Sequence, residues 1–326
     1  MLLDSHGRRH NYLRLAITDR CNLRCHYCMP ECGIDFVGRK DLLSYEEMLH
    51  LIQLFSELGV NKLRLTGGEP FARKGFMEFT EAIHQQGAIS DWHLTTNGTH
   101  TLPHISALIN AGCKSVNISL DTLNAARFVA ITKFDYLEAV LESIDAFLLH
   151  NIPVKLNMVV MNGINSDEII DMAKLAEKKH LTVRFLEEMP FNGSDETRET
   201  LNHLDIEREL FKHLDISNKE PFKFASTSQD YTVKNWKGKL GIIASYTRTF
   251  CGSCNRLRVT PTGQMKTCLY SNNHLDLRKM LRDESSDVKI KEAIKFAVSG
   301  KARDGKEAEQ RRMGEGITES MATIGG

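Results

Sequence analysis

The chain has 326 residues, and its hydrophobic content of 41% and charged content of 26% are ordinary for a globular protein. Its 42 basic and 42 acidic residues balance, so the total charge does not point to a nucleic-acid or membrane partner. No apolar run reaches the roughly 20 residues that span a bilayer, and residues 1–14 lack the apolar core of a signal peptide. We therefore predict a cytoplasmic protein, without a membrane or nucleic-acid partner, of one large domain or two ordinary ones.

From Tyr12 to about Leu186, short apolar runs, polar or glycine-rich breaks and longer helical stretches alternate. The predicted strands are Tyr12–Thr18, Lys62–Thr66, Trp92–Thr95, Ser115–Leu120, Val154–Val160 and Thr182–Leu186. The predicted helices are Ser44–Leu58, Phe76–Gln86, His104–Ala111, Leu137–His150 and Asp167–Lys179. Strands that alternate with helices pair in parallel through right-handed crossovers. The pattern predicts an α/β fold, namely an incomplete (βα)₆ TIM-type barrel, with a doubly wound sheet as the alternative.

Polar residues and glycines follow five of the predicted strands. They are the loop that begins at Thr18, Thr66–Pro70, Thr95–Gly98, Ser119–Asp121 and Glu187–Pro190. Enzymes with parallel sheets place their active-site residues at the carboxyl ends of the strands. The pattern therefore predicts one functional site at this edge of the sheet.

The first cysteine group, which consists of Cys21, Cys25 and Cys28, follows the first predicted strand. In a reducing cytosol, such short fixed spacing is more typical of metal or cluster ligands than of disulfides. Three ligands are one fewer than a closed zinc site or a fully ligated iron–sulfur cluster needs, so one iron would keep an open position. Cys32 and Cys113 stand apart, and a buried free thiol is the simpler interpretation of both.

The segment Thr66-Gly67-Gly68-Glu69-Pro70 closes the second predicted strand. Two adjacent glycines let the backbone approach a ligand closely, and the proline fixes the chain beyond them. An ordinary strand-to-helix turn explains this motif equally well when it stands alone. Because it follows the three-cysteine loop, a ligand-binding turn is the favoured interpretation.

Beyond Pro190 the sequence changes character, and we place a domain boundary near residue 220, between 1–220 and 221–326. Residues 192–200 are predicted to form a polar loop. An α+β region follows, with helices predicted at Ile206–Leu214 and Leu275–Leu281 and strands at Tyr231–Trp236 and Leu240–Ser245.

The second cysteine group consists of Cys251, Cys254 and Cys268. Between the last two, a turn at residue 261 predicts a β-hairpin. Cys254 and Cys268 are each seven residues from this turn, so antiparallel pairing would bring them together. A zinc site is disfavoured because a fourth ligand is missing and no histidine has zinc-finger spacing. We predict a second iron–sulfur cluster, again with one open iron.

Arg256 and Arg258 point to the same face if their segment is extended. Two guanidiniums beside a cluster are good ligands for a phosphate chain, although a solvated basic strand is the alternative. Five more cations interrupt the apolar strands: Arg14, Lys62, Arg64, Lys155 and Arg184. Because a buried cation without a partner is unfavourable, they indicate a small polyphosphate ligand, or carboxylates such as Glu69 and Glu187.

The first cysteine group, Tyr27 before its last cysteine and the Gly-Gly-Glu-Pro turn resemble the radical S-adenosylmethionine (SAM) superfamily. This resemblance implies a partial barrel with a [4Fe–4S] cluster on Cys21, Cys25 and Cys28. The open iron of that cluster would bind SAM, whose reductive cleavage gives methionine and a 5′-deoxyadenosyl radical. The residues that would contact SAM are Tyr27, Gly68, Ser119 and Met189.

The chain is also similar to the GTP 3′,8-cyclase family of molybdenum cofactor biosynthesis, from Tyr12-Leu13-Arg14-Leu15 to the terminal Ile324-Gly325-Gly326. The resemblance implies hydrogen abstraction from the ribose C3′ of GTP, followed by attack on guanine C8. The second cluster would bind the guanine, and the C-terminal tail would enter the active site. The implied GTP contacts are Arg14, Arg64, Thr95, Lys155, Arg256 and Arg258, with Lys62 and Arg184 as weaker assignments.

The same resemblance implies an electron donor, a downstream pyranopterin monophosphate synthase that takes the product, and a homodimer. The segment of residues 131–134 is shorter than its counterpart in the family, and residues 192–230 match the family only loosely.

Two alternatives remain open. One is a radical enzyme that modifies a peptide; the other is a non-catalytic protein with two structural metal sites, for which His26 and His274 are the nearest fourth ligands.

Overall fold

The computed structural model describes residues 1–29, 33–189, 191, 199–223, 225–272, 274–312 and 319–325. The strands in this part are β1 (Tyr12–Ala16), β2 (Lys62–Thr66), β3 (Asp91–Thr96), β4 (Val116–Ser119), β5 (Val154–Val160), β6 (Leu181–Glu187), β7 (Ile216–Lys219), β8 (Ser228–Val233), β9 (Lys239–Ile243), β10 (Arg256–Val259), β11 (Gln264–Lys266) and β12 (His274–Asp276). The helices are α1 (Tyr45–Glu57), α2 (Phe76–Gln86), α3 (Ile105–Asn110), α4 (Ala125–Thr132), α5 (Leu137–Leu149), α6 (Ile169–Lys178), α7 (His203–His213), α8 (Leu277–Arg282), α9 (Asp287–Ser299), α10 (Gly305–Gln310) and α11 (Met321–Ile324).

These strands form one sheet in the order β12-β11-β10-β1-β2-β3-β4-β5-β6-β9-β8-β7. Strands β1 to β6 pair in parallel and in sequence order, and β10 and β9 extend them in parallel at either side. The α/β prediction is therefore confirmed. Because the order β1 to β6 has no reversal, the doubly wound alternative is wrong. Residues before and after residue 220 contribute strands to this one sheet. The domain boundary near residue 220 stays a prediction.

Local sequence explains where these elements begin and end. The Ser44 hydroxyl accepts a hydrogen bond from the Glu47 amide, and the Glu47 carboxylate accepts one from the Ser44 amide, so a capping box starts α1. Along β1, Leu13 and Leu15 are fully buried in the main hydrophobic core. The alternate residue Arg14 is only partly buried and points to the opposite face. This alternation puts polar side chains on the face away from the core.

The hairpin between the last two cysteines of the second group is confirmed, but its predicted register is wrong. Arg258 lies opposite Lys266, which centres the loop on residue 262 rather than 261. Four residues, 260–263, separate β10 from β11, and the last of them, Gly263, has a φ of 80°, a left-handed conformation that glycine adopts readily. Cys254 and Cys268 are consequently not directly opposite each other.

Several segments were not predicted, among them α4, β7 and α9 to α11. Cys32, most of the predicted loop at 192–200, and Gly326 lie outside the described residues. Cys113 is buried in the core, as predicted. Among the described residues, none of the helices combines the length and the apolar composition needed to cross a membrane.

Candidate functional site: a cavity between two cysteine groups

A cavity of about 320 Å³ lies at the carboxyl ends of the parallel strands. Of the residues predicted as cluster ligands or as SAM or GTP contacts, the two weaker assignments aside, all but two line it: Arg14, Cys21, Cys25, Tyr27, Cys28, Gly68, Thr95, Ser119, Met189, Cys251, Cys254, Arg256, Arg258 and Cys268. The structure therefore brings both cysteine groups and the arginine pair to one space. The two residues that do not line it are Arg64 and Lys155.

The first cysteine group lies in the loop after β1, and its thiols are poorly solvated. Burial raises the pKa of Cys21 to about 11 and that of Cys28 to about 12. Burial also raises the pKa of Cys25 well above its ordinary value, and the charges of Asp121 and of the other two cysteines add to the effect. Thiols so close together repel each other once ionised, so a cation is needed to stabilise the three thiolates.

Two buried carboxylates flank the first cysteine group. Glu69 accepts hydrogen bonds from the Thr96 hydroxyl at 2.9 Å and the Asn97 amide at 2.7 Å, and burial raises its pKa to about 7. Asp121 accepts a hydrogen bond from the Tyr27 hydroxyl at 2.7 Å, and burial raises its pKa to about 6. This end of the cavity therefore favours a positively charged ligand.

The glycine pair has a structural role besides the predicted ligand contact, which stays a prediction. A Cβ atom at Gly67 would lie 2.5 Å from the Thr18 carbonyl oxygen, and one at Gly68 would lie 2.3 Å from the Arg20 carbonyl oxygen. The Gly68 amide donates to the Thr18 carbonyl at 2.7 Å. The close backbone approach is thus to the cysteine loop itself, and the glycines fix that loop against the end of β2.

The second cysteine group has the opposite electrostatic setting. Burial by itself raises the pKa of Cys254, but the positive charges of Lys301 and Arg256 outweigh burial and lower this pKa to about 7. Burial raises the pKa of Cys251 to about 11. Cys254 is thus the thiol of this group that ionises most readily, because cations surround it.

Arginines form part of the cavity wall. Arg258 donates to the Gly325 carbonyl at 2.6 Å, and Arg256 donates to the Ala225 carbonyl at 3.2 Å. Burial and the neighbouring Arg256 lower the pKa of Arg258 to about 10. Burial and Arg64 likewise lower the pKa of Arg184 to about 10. So many buried cations are stable only beside anionic groups, which a phosphate chain would supply.

Four side chains along the cavity have buried polar atoms without a hydrogen-bond partner in the described part of the chain. They are the Thr95 hydroxyl, the Asn117 and Asn157 carbonyl oxygens, and the Nε and Nη2 atoms of Arg184. Thr95 and Asn117 are neighbours across β3 and β4, and Asn157 and Arg184 are neighbours across β5 and β6. Buried polar atoms normally have partners, so this set indicates a polar ligand.

The sequence reasoning missed Asn117 and Asn157 and gave Arg184 only a weak assignment. A signal was present, because Asn117 and Ser119 on β4 alternate with apolar residues, as do Lys155 and Asn157 on β5. Polar residues at every second position of a buried parallel strand face the cavity.

Three predicted basic residues lie away from the cavity lining. Arg64 donates to the Tyr12 hydroxyl and to the Leu94 carbonyl, both at 2.7 Å. Burial and the charge of Arg184 lower the pKa of Lys155 to about 8. Lys62 is partly exposed and forms a loose ion pair with Asp91 at 3.8 Å. Arg64 is thus the strand neighbour of the lining residue Arg14, and Lys155 that of the lining residue Asn117, whereas Lys62 belongs to the surface.

The C-terminal segment reaches the cavity from outside the sheet. The Ser320 hydroxyl donates to the Cys28 carbonyl at 2.6 Å, and Met321 lines the cavity. The Gly325 carbonyl accepts the hydrogen bond from Arg258. Lys266, fully buried on β11, pairs with Glu319 at the start of this segment. The tail therefore contacts the first cysteine group and one of the arginines.

Each cysteine group offers three thiols as metal ligands. No three His, Cys, Asp or Glu side chains among the described residues are arranged to hold a single metal ion. Within each group, however, the thiols are close enough to shift one another's pKa. An iron–sulfur cluster is wider than one ion and is held by thiolates, so these two sets of three cysteines fit a cluster better than zinc.

Comparison with known proteins assigns the family. A model of the Radical SAM superfamily matches residues 15–176, and a model of Molybdenum Cofactor Synthesis C matches residues 181–307. A GTP 3′,8-cyclase from Syntrophomonas wolfei is 39% identical over 328 residues, which covers all of both chains. The chain belongs to the GTP 3′,8-cyclase family.

Further relatives agree with this family. The cyclase from Geobacter sulfurreducens is 40% identical over 329 residues, which covers 100% of this chain and 99% of that protein. Molybdenum cofactor biosynthesis protein 1 from Bos taurus is 40% identical over 304 residues, which covers 93% of this chain and 48% of that protein. The chain thus spans about half the length of the animal relatives it matches.

Solved structures share the fold of this cyclase family member. Streptococcus suis SuiB bound to S-adenosylmethionine has a TM-score of 0.59 and 12% identity, with 88% of this chain and 68% of that chain covered. SuiB bound to the precursor peptide SuiA has a TM-score of 0.60 at the same identity, with 89% and 68% covered. At this identity the similarity concerns the fold alone.

Proposed function

We propose that this protein is a GTP 3′,8-cyclase, a radical SAM enzyme that converts GTP to (8S)-3′,8-cyclo-7,8-dihydroguanosine 5′-triphosphate. This would be the first step of molybdenum cofactor biosynthesis. The observation that carries the proposal is the single cavity between two cysteine groups with opposite electrostatic settings. One setting suits a cationic cofactor, and the other suits a polyphosphate.

At the first group, Cys21, Cys25 and Cys28 would hold a [4Fe–4S] cluster that leaves one iron open for SAM. When bound, cluster and SAM supply a radical that abstracts hydrogen. The Glu69 carboxylate stabilises positive charge nearby, and Thr96 and Asn97 orient it. The further SAM contacts in this proposal are Tyr27, Gly68, Ser119 and Met189, which all line the cavity.

On the other side, Arg14, Arg256 and Arg258 would bind the triphosphate of GTP. Bidentate hydrogen bonds from guanidinium groups fix both the position and the orientation of a phosphate. Arg184 and Thr95 would bind the remaining polar groups, because each has a buried atom without a partner in the described chain. Arg64 and Lys155 complete the proposed set and add positive charge near Arg14 and Arg184.

Cys251, Cys254 and Cys268 would hold a second [4Fe–4S] cluster, whose open position would take the guanine. Such an arrangement fixes the nucleobase at one end and the phosphates at the arginines, which leaves the ribose between the two cysteine groups. The proposed partners are an electron donor and the pyranopterin monophosphate synthase that uses the product, and we propose a homodimer.

We further infer that the sheet curves into an incomplete barrel. Strands β1 to β6 follow in order without reversal, and residues from β1, β4, β6 and β10 line the same cavity. The proposed second region, residues 221–326, would add β10 beside β1 and supply the second cysteine group.

One anaerobic experiment tests the proposed function. The protein is reconstituted with iron and sulfide and incubated with SAM, a reductant and GTP. We expect 5′-deoxyadenosine, a cyclised nucleotide and two clusters per chain. Cleavage of SAM without a nucleotide product would contradict the GTP assignment, and one zinc per cysteine group without SAM cleavage would contradict radical chemistry altogether.

A further inference from the structure

The N-terminal segment lies against the second cysteine group, far from it in sequence. Arg8 is buried, and its Nη1 atom donates to the Cys251 carbonyl at 3.1 Å. The same guanidinium donates to the Ala302 carbonyl at 2.7 Å and to the Arg303 carbonyl at 2.5 Å. Arg8 therefore joins the start of the chain, the turn before Cys254 and the segment after α9.

Beside this contact, the Lys301 ammonium reaches into the second cysteine group. Lys301 is buried, with only 3% of its surface exposed. Its Nζ atom donates to the Arg256 carbonyl at 2.9 Å and to the Cys254 carbonyl at 3.4 Å. It also lies 3.9 Å from the Cys254 sulfur, within range of a hydrogen bond to that atom.

A buried histidine orients the ammonium group. His10 is fully buried; its Nδ1 atom lies 3.4 Å from Lys301 Nζ, and its Nε2 atom lies 3.0 Å from the Asp4 carboxylate. Burial raises the pKa of Asp4, but hydrogen bonds from His10 and Arg8 lower it to about 2, so the group is ionised. Burial and the Lys301 charge lower the pKa of His10 to about 4, so the ring is neutral.

These charge states fix the direction of every hydrogen bond. The ionised Asp4 can only accept, so the proton of the neutral ring resides on Nε2. The Nδ1 lone pair of His10 then accepts from Lys301. The result is a buried chain of contacts from Asp4 through His10 and Lys301 to the sulfur of Cys254.

We propose that Lys301, oriented by Asp4 and His10, is a positioning residue that donates a hydrogen bond to the Cys254 thiolate in the second cluster site. This inference rests on the proposed second cluster. Outer-shell partners orient metal ligands, and hydrogen bonds to cluster sulfurs and nearby charge change the reduction potential. A cation at Cys254 stabilises the more negative, reduced form of the cluster, so its removal makes reduction harder.

A purely structural lysine is the competing explanation, because Lys301 also satisfies two backbone carbonyls. Such a role would affect folding but would leave the reduction potential unchanged. The reduction potential therefore separates the two explanations.

The test uses the full chain with Cys21, Cys25 and Cys28 replaced by Ala, so that only the second group can bind a cluster. Lys301→Met has a similar shape and no charge, Lys301→Arg restores the charge, and Lys295→Met changes an exposed lysine of α9 as the control. After anaerobic reconstitution, iron per chain is measured, and the reduced fraction is followed by electron paramagnetic resonance at fixed solution potentials.

We expect Lys301→Met either to lose the cluster or to lower the ratio of reduced to oxidised cluster at least tenfold. For a one-electron couple, tenfold corresponds to about 59 mV. Lys301→Arg should retain the cluster and recover most of the ratio, and Lys295→Met should match the parent. An unchanged iron content and ratio in Lys301→Met would overturn the inference, as would a loss of iron that Lys301→Arg does not repair.

If Lys301→Met does not fold, as judged by thermal unfolding, His10→Leu replaces it. This variant keeps the ammonium but removes the acceptor that orients it, so a smaller shift of the same sign is expected, and no shift would overturn the inference. A parent protein that binds no iron at the second group would instead contradict the proposed second cluster, which is a different result from an unchanged potential.

Discussion

The two cysteine groups have the same number of thiols and similar short spacing, yet opposite charges surround them. Carboxylates flank the first group, and burial there raises the pKa of Cys28 to about 12. Cations flank the second, where Lys301 and Arg256 outweigh burial and lower the pKa of Cys254 to about 7. On our proposal, the surrounding charge, and not the cysteine motif, specifies the ligand: a sulfonium cofactor at the first group and a polyphosphate substrate at the second.

The largest effect should come from the first group itself. In Cys25→Ala the cluster would lose one of its three ligands, so formation of 5′-deoxyadenosine should fall below detection. Iron content should drop to about half, since the second group has its own ligands. Cys113→Ala, which changes a core thiol outside both groups, is the control and should keep full activity. Residual SAM cleavage in Cys25→Ala would mean that the first group is not the radical source.

The next effect concerns the arginine wall of the second group. Arg256→Ala combined with Arg258→Ala should weaken GTP binding about 10²- to 10⁴-fold, since hydrogen bonds to charged groups contribute about 1.5–3 kcal/mol each. Both clusters should still assemble. Equilibrium binding of GTP and iron analysis check this prediction, with the exposed Arg208→Ala as the control. Loss of iron in the double variant would show that the arginines are structural.

The stability of the apo protein should depend on pH through Glu69, which lies beside the first cysteine group. The pKa of Glu69 is raised to about 7 by burial, so the folded chain binds this proton more tightly than the unfolded chain does. The resulting stabilisation is complete below the ordinary pKa near 4.5 and is lost as the pH rises to about 7. Relative to Glu69→Gln, the free energy of unfolding of the apo protein should fall by up to about 3 kcal/mol across this window.

Denaturant unfolding at several pH values measures this difference. SAM, whose positive charge stabilises the Glu69 carboxylate, should reduce the pH dependence. If GTP had that effect and SAM did not, the assignment of ligands to the two groups would be reversed.

The smallest effect concerns the second layer of cations. Burial and Arg184 lower the pKa of Lys155 to about 8, so the side chain loses its charge as the pH rises above this value. GTP affinity should therefore decrease above pH 8, and Lys155→Met should weaken it about 10-fold at pH 7 and remove the pH dependence. Lys62→Met, a surface lysine in a loose ion pair, should change affinity less than about twofold. Equal effects of the two variants would contradict the assignment.

The sequence predicted the sheet well because strands such as Val154–Val160 have apolar residues at every second position and are followed by polar or glycine-rich breaks. It missed α4, which has only eight residues and is followed by Lys133 in a left-handed conformation. The predicted hairpin had the wrong register because the turn depends on Gly263, two residues beyond the expected centre at residue 261. Each of these errors concerns local geometry.

At the site, the sequence analysis succeeded with single residues and failed with contacts between distant segments. Most of the predicted site residues line one cavity, and they could be predicted because cysteines, glycines and arginines at strand ends are conspicuous in sequence. Contacts that join distant segments gave no local signal. Arg8 contacts Cys251 across 243 residues, and Lys301 contacts Cys254 across 47. No periodicity or motif predicts such pairs, so the electrostatic difference between the two groups can be seen only in the folded chain.

The central claim is that the first group binds the cationic cofactor and the second group binds the anionic substrate. Calorimetric titration of two anaerobically reconstituted variants tests this claim most directly. Each variant lacks the three thiols of one group and keeps those of the other. The variant of Cys21, Cys25 and Cys28 should lose SAM binding and keep GTP affinity. The variant of Cys251, Cys254 and Cys268 should keep SAM affinity and bind GTP at least about tenfold more weakly. Unchanged GTP binding in the second variant, or loss of both ligands in the first, would contradict the account.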